Sequence, residues 1–183
     1  AASAIDQTTS KTLLYIWYTS SGKDLLIVHL DVASLNEVLW SPTGKYLALN
    51  NLQTIVIVDS QSGVVVKTID YSPPVTFNAP GASQQSWLTS NAPLGGGFGF
   101  YSVDWSPNGA FLAVSVSDIT TGRVVLLDPQ TGVVKTTFRE QARPIGFPLS
   151  FSSDGKYLAV SYSNDSTIVV WDVATQHVAL VLN

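Results

Sequence analysis

The stretch Leu149–Thr175, LSFSSDGKYLAVSYSNDSTIVVWDVAT, limits what this chain can fold into more than any other. Lys156–Ser161 is a short run of β formers, entered through Ser153-Asp154-Gly155, a tripeptide whose glycine can supply a positive φ in a tight turn. Asn164-Asp165-Ser166 interrupts the chain, Thr167–Trp171 forms a second run, and after Asp172 another turn leads into a third, His177–Leu182. With Phe147–Phe151 in front, the segment reads as four short strands joined by hairpin-length turns. The runs are almost continuously apolar, where burial of one face would give alternation, so the expectation is strands covered on both faces.

Imperfect copies of this unit fill most of the 183 residues. Trp40-Ser41-Pro42-Thr43-Gly44 leads into Lys45–Leu49, and Trp105-Ser106-Pro107-Asn108-Gly109 leads into Ala110–Val114. Both repeat the pattern of Phe151-Ser152-Ser153-Asp154-Gly155 before Lys156–Val160. Each copy continues into a second β run and an acidic turn: Thr54–Val58 with Asp59, Arg123–Leu127 with Asp128, Thr167–Trp171 with Asp172. A period of about 40 residues, four strands per period and a Trp-Asp ending form the signature of a propeller blade. On these residues the chain resembles WD40-type β-propellers and their bacterial relatives with WSPDGKYLA-like repeats. The resemblance implies an all-β propeller of four-stranded antiparallel blades. One feature of the family is absent: no His precedes Glu37, Tyr101 or Phe147, so the Asp-His-Ser/Thr-Trp network of WD40 blades has no counterpart.

The N-terminus joins the same register. Tyr15–Gly22 aligns with the Trp171-Asp172 turn, with Tyr18 in the Asp place. Leu13–Trp17 is then a third blade strand, Asp24–Leu30 a fourth and Ala2–Asp6 a second, with no first strand before it. The expected domain is therefore one propeller or propeller segment over residues 1–183. Its blades lie at 1–30 (incomplete), 37–69, 101–138 and 147–182, as an arc of a larger ring that further blades of the same or another chain would complete. The absence of any Met marks the chain as processed, trimmed or cut from a longer protein.

Composition excludes several classes. A net charge of −4, only 12% charged residues and nine scattered Lys and Arg leave no basic surface for nucleic acid. No run of 18 apolar residues occurs, so no membrane-spanning helix is expected. With no Cys there are no disulfides, thiolate metal sites or Cys nucleophiles. A surface relying on Ser, Thr, Asn and Gln more than on Lys and Glu leans toward an extracytoplasmic, secreted bacterial setting.

No catalytic, metal or cofactor site is expected. His29 and His177 read as edge residues at matching positions of outer strands. The recurring Asp59, Asp128, Asp154 and Asp172 read as turn caps. Gly95–Gly99 has the wrong spacing for a phosphate loop and reads as a flexible lead into Tyr101. The one candidate site is the insertion over 71–100. It holds no Asp, Glu, Lys, Arg or His, yet it carries Tyr71, Phe77, Trp87, Phe98 and Phe100. Solvated linkers are charged or Ser/Gly-rich without aromatics. The alternatives are a lid packed on its own propeller or a recognition surface for a neutral peptide or glycan, with Trp87 as its anchor. The insertion is expected on the face that carries the second-to-third-strand loops. As a whole the chain reads as a non-enzymatic scaffold or protein-binding module. The alternatives are the propeller part of a larger oligopeptidase- or lactonase-like enzyme, or the sensor domain of a bacterial signalling protein.

Overall fold

Each repeat becomes a sheet because its β runs are separated only by turns too short for anything but antiparallel return. The computed structural model describes residues 2–5, 11–32, 35–70, 99–117, 122–138, 145–162 and 166–183. Within them every regular element is a strand. The first sheet has three strands, β1 (Ala2–Ile5), β2 (Thr12–Trp17) and β3 (Asp24–Leu30). The second is β4 (Glu37–Trp40), β5 (Tyr46–Asn50), β6 (Thr54–Asp59) and β7 (Val65–Asp70). The third is β8 (Gly99–Trp105), β9 (Leu112–Ser117), β10 (Gly122–Leu127) and β11 (Val134–Phe138). The fourth is β12 (Ile145–Phe151), β13 (Tyr157–Tyr162), β14 (Ile168–Asp172) and β15 (Val178–Leu182). All neighbouring strands pair antiparallel in chain order, so each sheet is a simple meander and the four sheets are propeller blades.

β8 and β12 each begin two residues before the repeat alignment places them. Their pairing with β9 and β13 is irregular there, which lets the strand take on extra residues without losing register downstream.

The blades stack in order through three apolar cores. Leu14, Ile16, Val28 and Leu30 of the first blade meet Leu47, Leu49, Val56 and Val58 of the second. Ala48, Ile55, Ile57 and Ile69 on the other face of the second meet Val103, Trp105, Leu112, Val114, Val125 and Leu127. Val124, Leu126 and Phe138 then meet Leu149, Leu158, Val160, Val169 and Trp171. Strands β4, β8 and β12 lie beside one another along the inner side of this arc. No core among the described residues joins the first blade to the fourth.

This explains where two-faced burial holds and where it does not. β6 is buried along its length on both faces, as a continuous apolar run predicts. β2 and β14 alternate buried and accessible positions although their sequences are nearly continuously apolar. The repeat specifies a strand with a neighbour on each side, and among the described residues the first and fourth blades each pack on one neighbour.

Candidate functional site

The recurring acidic turns are structural. Asp59 Oδ1 accepts the backbone N–H groups of Gln61 at 3.1 Å and Ser62 at 2.9 Å. Asp128 Oδ1 accepts those of Gln130 at 2.9 Å and Thr131 at 3.1 Å, and Asp172 Oδ1 that of Thr175 at 2.8 Å. The Ser62 N–H and hydroxyl hold Asp59 below the usual carboxylate range, and the Thr175 N–H and hydroxyl do the same for Asp172. At Asp128 slight burial pushes upward, but the N–H groups of Thr131 and Gln130 prevail and the carboxyl is lowered. Asp154, in the other turn, is lowered chiefly by the Ser152 hydroxyl at 2.6 Å and the Lys156 N–H at 3.0 Å. Tyr18 makes the same backbone turn without a carboxylate: its N–H reaches Lys23 O at 2.9 Å and its carbonyl accepts from Gly22 at 2.8 Å.

Two carboxylates on the inner strands join blades. Glu37 Oε2 accepts from Val103 N and from Asn50 Nδ2, each at 3.3 Å. Asp104 Oδ2 accepts from Phe151 N at 2.8 Å and Ser150 Oγ at 3.2 Å. Sequence reasoning passed over both because neither position repeats as an acid from blade to blade. Trp105 Nε1 likewise reaches Leu39 O of the preceding blade at 3.3 Å. The buried Trp171 Nε1 finds no partner among the described residues, in keeping with the absence of the network histidine.

The histidines do not occupy matching positions. His29 sits within β3 opposite Leu13, whereas His177 lies in the turn before β15, where its carbonyl accepts from Asp172 N. The turns Tyr18–Lys23 and Asp172–His177 have equal length and the same backbone bonds, so His177 takes the place of Lys23, six residues ahead of His29.

Of the candidate binding residues, Tyr71, Phe77, Trp87 and Phe98 lie outside the described residues. Phe100 is described, and its ring is fully buried in the core between the second and third blades. It therefore offers packing there and no accessible surface. Its N–H donates to Leu52 O at 2.9 Å. Gly99, beside it, is a close-packing residue and not a loose lead: a Cβ there would fall 2.2 Å from Leu52 O. At the other end of the insertion, Asp70 Oδ1 accepts from Thr54 Oγ1 at 3.2 Å. That bond joins the paired ends of β6 and β7, whereas Gly99-Phe100, the described end of the 71–100 segment, is fastened to the β5–β6 turn, the second-to-third-strand loop of its blade. Leu52, at the tip of that turn, is exposed. Its part in rooting the insertion is invisible in sequence, since it depends on a backbone carbonyl.

Among the described residues no group of three or more His, Cys, Asp or Glu stands close enough to hold a metal ion. Residues 149–172 match the family model of the WD domain, G-beta repeat (WD40). No curated protein matches the chain.

Proposed function

We propose that this chain is a non-catalytic protein-interaction module of the bacterial WSPDGKYLA-repeat type, and that its recognition surface is the uncharged, aromatic insertion over 71–100. The WD40-like repeat supports an interaction or scaffold role at the coarse level. The observation that carries the finer reading is the pairing of composition with anchorage. The insertion holds no charge, it carries four aromatic rings besides the buried Phe100, and its end at Gly99-Phe100 is fastened to the β5–β6 turn through Leu52 O. A loop of that composition gains by covering apolar surface, and Trp87 is its largest side chain. The ligand class that fits is a neutral peptide or glycan, held by aromatic area and by Asn, Gln and Ser hydrogen bonds. The non-catalytic reading draws on the carboxylates: the recurring ones are engaged in capping turns, and Glu37 and Asp104 in bonds between blades.

The test is selection on a displayed library of uncharged peptides and on a glycan array, with the wild-type chain and Trp87→Ala side by side. The wild type enriches a consistent ligand set, and the variant loses it while its β signal and melting temperature stay unchanged. A variant that melts several degrees lower and keeps the ligand set would make Trp87 part of a self-packed lid and overturn the reading.

A further inference from the structure

Each four-stranded blade begins on an edge strand: β4, β8 and β12 pair on one side only, so their outward N–H groups have no ladder partner. On β8 and β12, side chains of the preceding blade's inner strand take such groups up. Val103 N donates to Glu37 Oε2 at 3.3 Å, Leu149 N to Ser102 Oγ at 3.5 Å and Phe151 N to Asp104 Oδ2 at 2.8 Å. Further bonds run the same way, with the donor on the following blade and the acceptor on the preceding one. Ser150 Oγ donates to Asp104 Oδ2 at 3.2 Å, Trp105 Nε1 to Leu39 O at 3.3 Å and Phe100 N to Leu52 O at 2.9 Å.

The two junctions are built at equivalent positions. Val103 pairs with Val114 and Leu149 with Val160, which puts both donor amides at one place in the repeat. The acceptors match as well: Glu37 pairs with Asn50 across β4 and β5, and Ser102 with Ser115 across β8 and β9. In both blades the second-strand partner is a fully buried polar residue next to apolar ones, and it holds the acceptor residue. Asn50 Nδ2 donates to Glu37 Oε2 at 3.3 Å, while Ser115 Oγ accepts from Ser102 N at 2.8 Å and donates to Ser102 O at 3.3 Å. Burying Asn50 carries a cost, because its Oδ1 finds no partner among the described residues, and an apolar side chain would avoid that cost.

We infer that these side chains form a latch along the inner edge of the blades. Glu37, Ser102 and Asp104 seat each following inner strand on its predecessor, and Asn50 and Ser115 are positioning residues behind Glu37 and Ser102. The latch does two things. It gives a partner to amides of a strand that has no ladder neighbour on that side, which blunts the inner edge against pairing with a further strand. It also fixes the height of one blade against the next. Apolar contact between blades is non-directional and tolerates sliding, whereas an N–H bonded to a carboxylate does not. The signature of the latch is a polar pair at one register position and not a fixed residue type, Glu with Asn in one blade and Ser with Ser in the next, so the repeat alignment conceals it. The inference stands on bonds between inner strands and is independent of the insertion reading.

The test is native-state hydrogen exchange of single backbone amides, followed by NMR on the 183-residue chain. In the wild type the Val103 and Phe151 amides exchange slowly although they lie on an edge strand. Asp104→Ala should speed exchange at Phe151 about tenfold or more, as loss of a hydrogen bond to a charged group implies. The Tyr162 and Asp172 amides of the same blade, which donate to Thr167 O and His177 O, should keep their rates. Asp104→Asn keeps a side-chain oxygen at the site and should restore most of the protection. Asn50→Ala leaves Glu37 in place and should still speed exchange at Val103, with no further rise when it is added to Glu37→Ala. Any one of four results would overturn the inference. They are Val103 and Phe151 amides exchanging at unfolded-chain rates in the wild type, Tyr162 and Asp172 accelerating as much as Phe151 in Asp104→Ala, Asp104→Asn exchanging as fast as Asp104→Ala, and Asn50→Ala acting on Val103 equally with and without Glu37.

Discussion

Truncating equivalent positions on the third and fourth blades should give very unequal losses. Phe138 is 1% exposed, packs between these blades and meets the Trp171 ring at 5.5 Å and 59°. Phe138→Ala removes that ring and leaves a cavity closed by two sheets, a loss of about 4 kcal/mol. Leu182 holds the same place in its own blade, but about half of it faces water. Leu182→Ala therefore forfeits about half the transfer value of a buried leucine and leaves no closed cavity, a loss of about 1 kcal/mol. For a domain of this size these convert to falls in Tm of roughly 8–16 °C and 2–4 °C. Both substitutions are made singly in the 183-residue chain. Urea and thermal melts followed by circular dichroism give the comparison. Equal losses would refute the assignment of Phe138 to a covered leading face and Leu182 to an uncovered one.

Two further outcomes follow from the turns. Gln176 sits at φ 59° where the equivalent turns carry Gly63 and Gly132, so Gln176→Gly relieves left-handed strain at some cost in chain entropy. The net gain is about 0.5 kcal/mol, a rise of about 1–2 °C, and a fall in Tm would contradict it. The carboxyls of Asp59, Asp128, Asp154 and Asp172 are all lower in the folded chain than ordinary carboxylates. Their contribution is therefore present above the unfolded pKa of about 3.9 and disappears as pH falls through the lower folded values. Urea midpoints should hold level from about pH 7 to 5 and drop below about pH 4, and Asp59→Asn should flatten part of that drop. Midpoints level down to about pH 3 would show that these turns do not couple to folding.

The blades were legible because their signals are local. Ser41-Pro42-Thr43-Gly44 and its two relatives fix one turn, and the acidic turns fix another. Tyr18 could be placed in the Asp position because the turn there is carried by backbone bonds that any residue can make. What escaped the sequence depends on long-range contact. The runs of β2 and β14 read as two-faced strands, but whether a second face is covered depends on a neighbour their residues do not encode. His177 was misplaced because the turn bonds that fix the alignment are backbone bonds, and they put His177 level with Lys23 and not with His29. Gly99 and Leu52 meet through a backbone carbonyl, so residue type carried no trace of it. Glu37 and Asp104 act across blades through atoms of unrelated positions.

The central claim is that one repeat position is covered three times and uncovered once, and the absence of native cysteine makes it directly measurable. Leu14, Ile55, Val124 and Ile168 are each replaced singly by cysteine in the 183-residue chain, and the rate of modification by a water-soluble thiol reagent is measured under native conditions. The account predicts slow modification at 14, 55 and 124, limited by opening of the blades, and rapid modification at 168, near the rate of a thiol in an unfolded chain. Equal rates at all four positions, or protection at 168 as strong as at 14, 55 and 124, would contradict it.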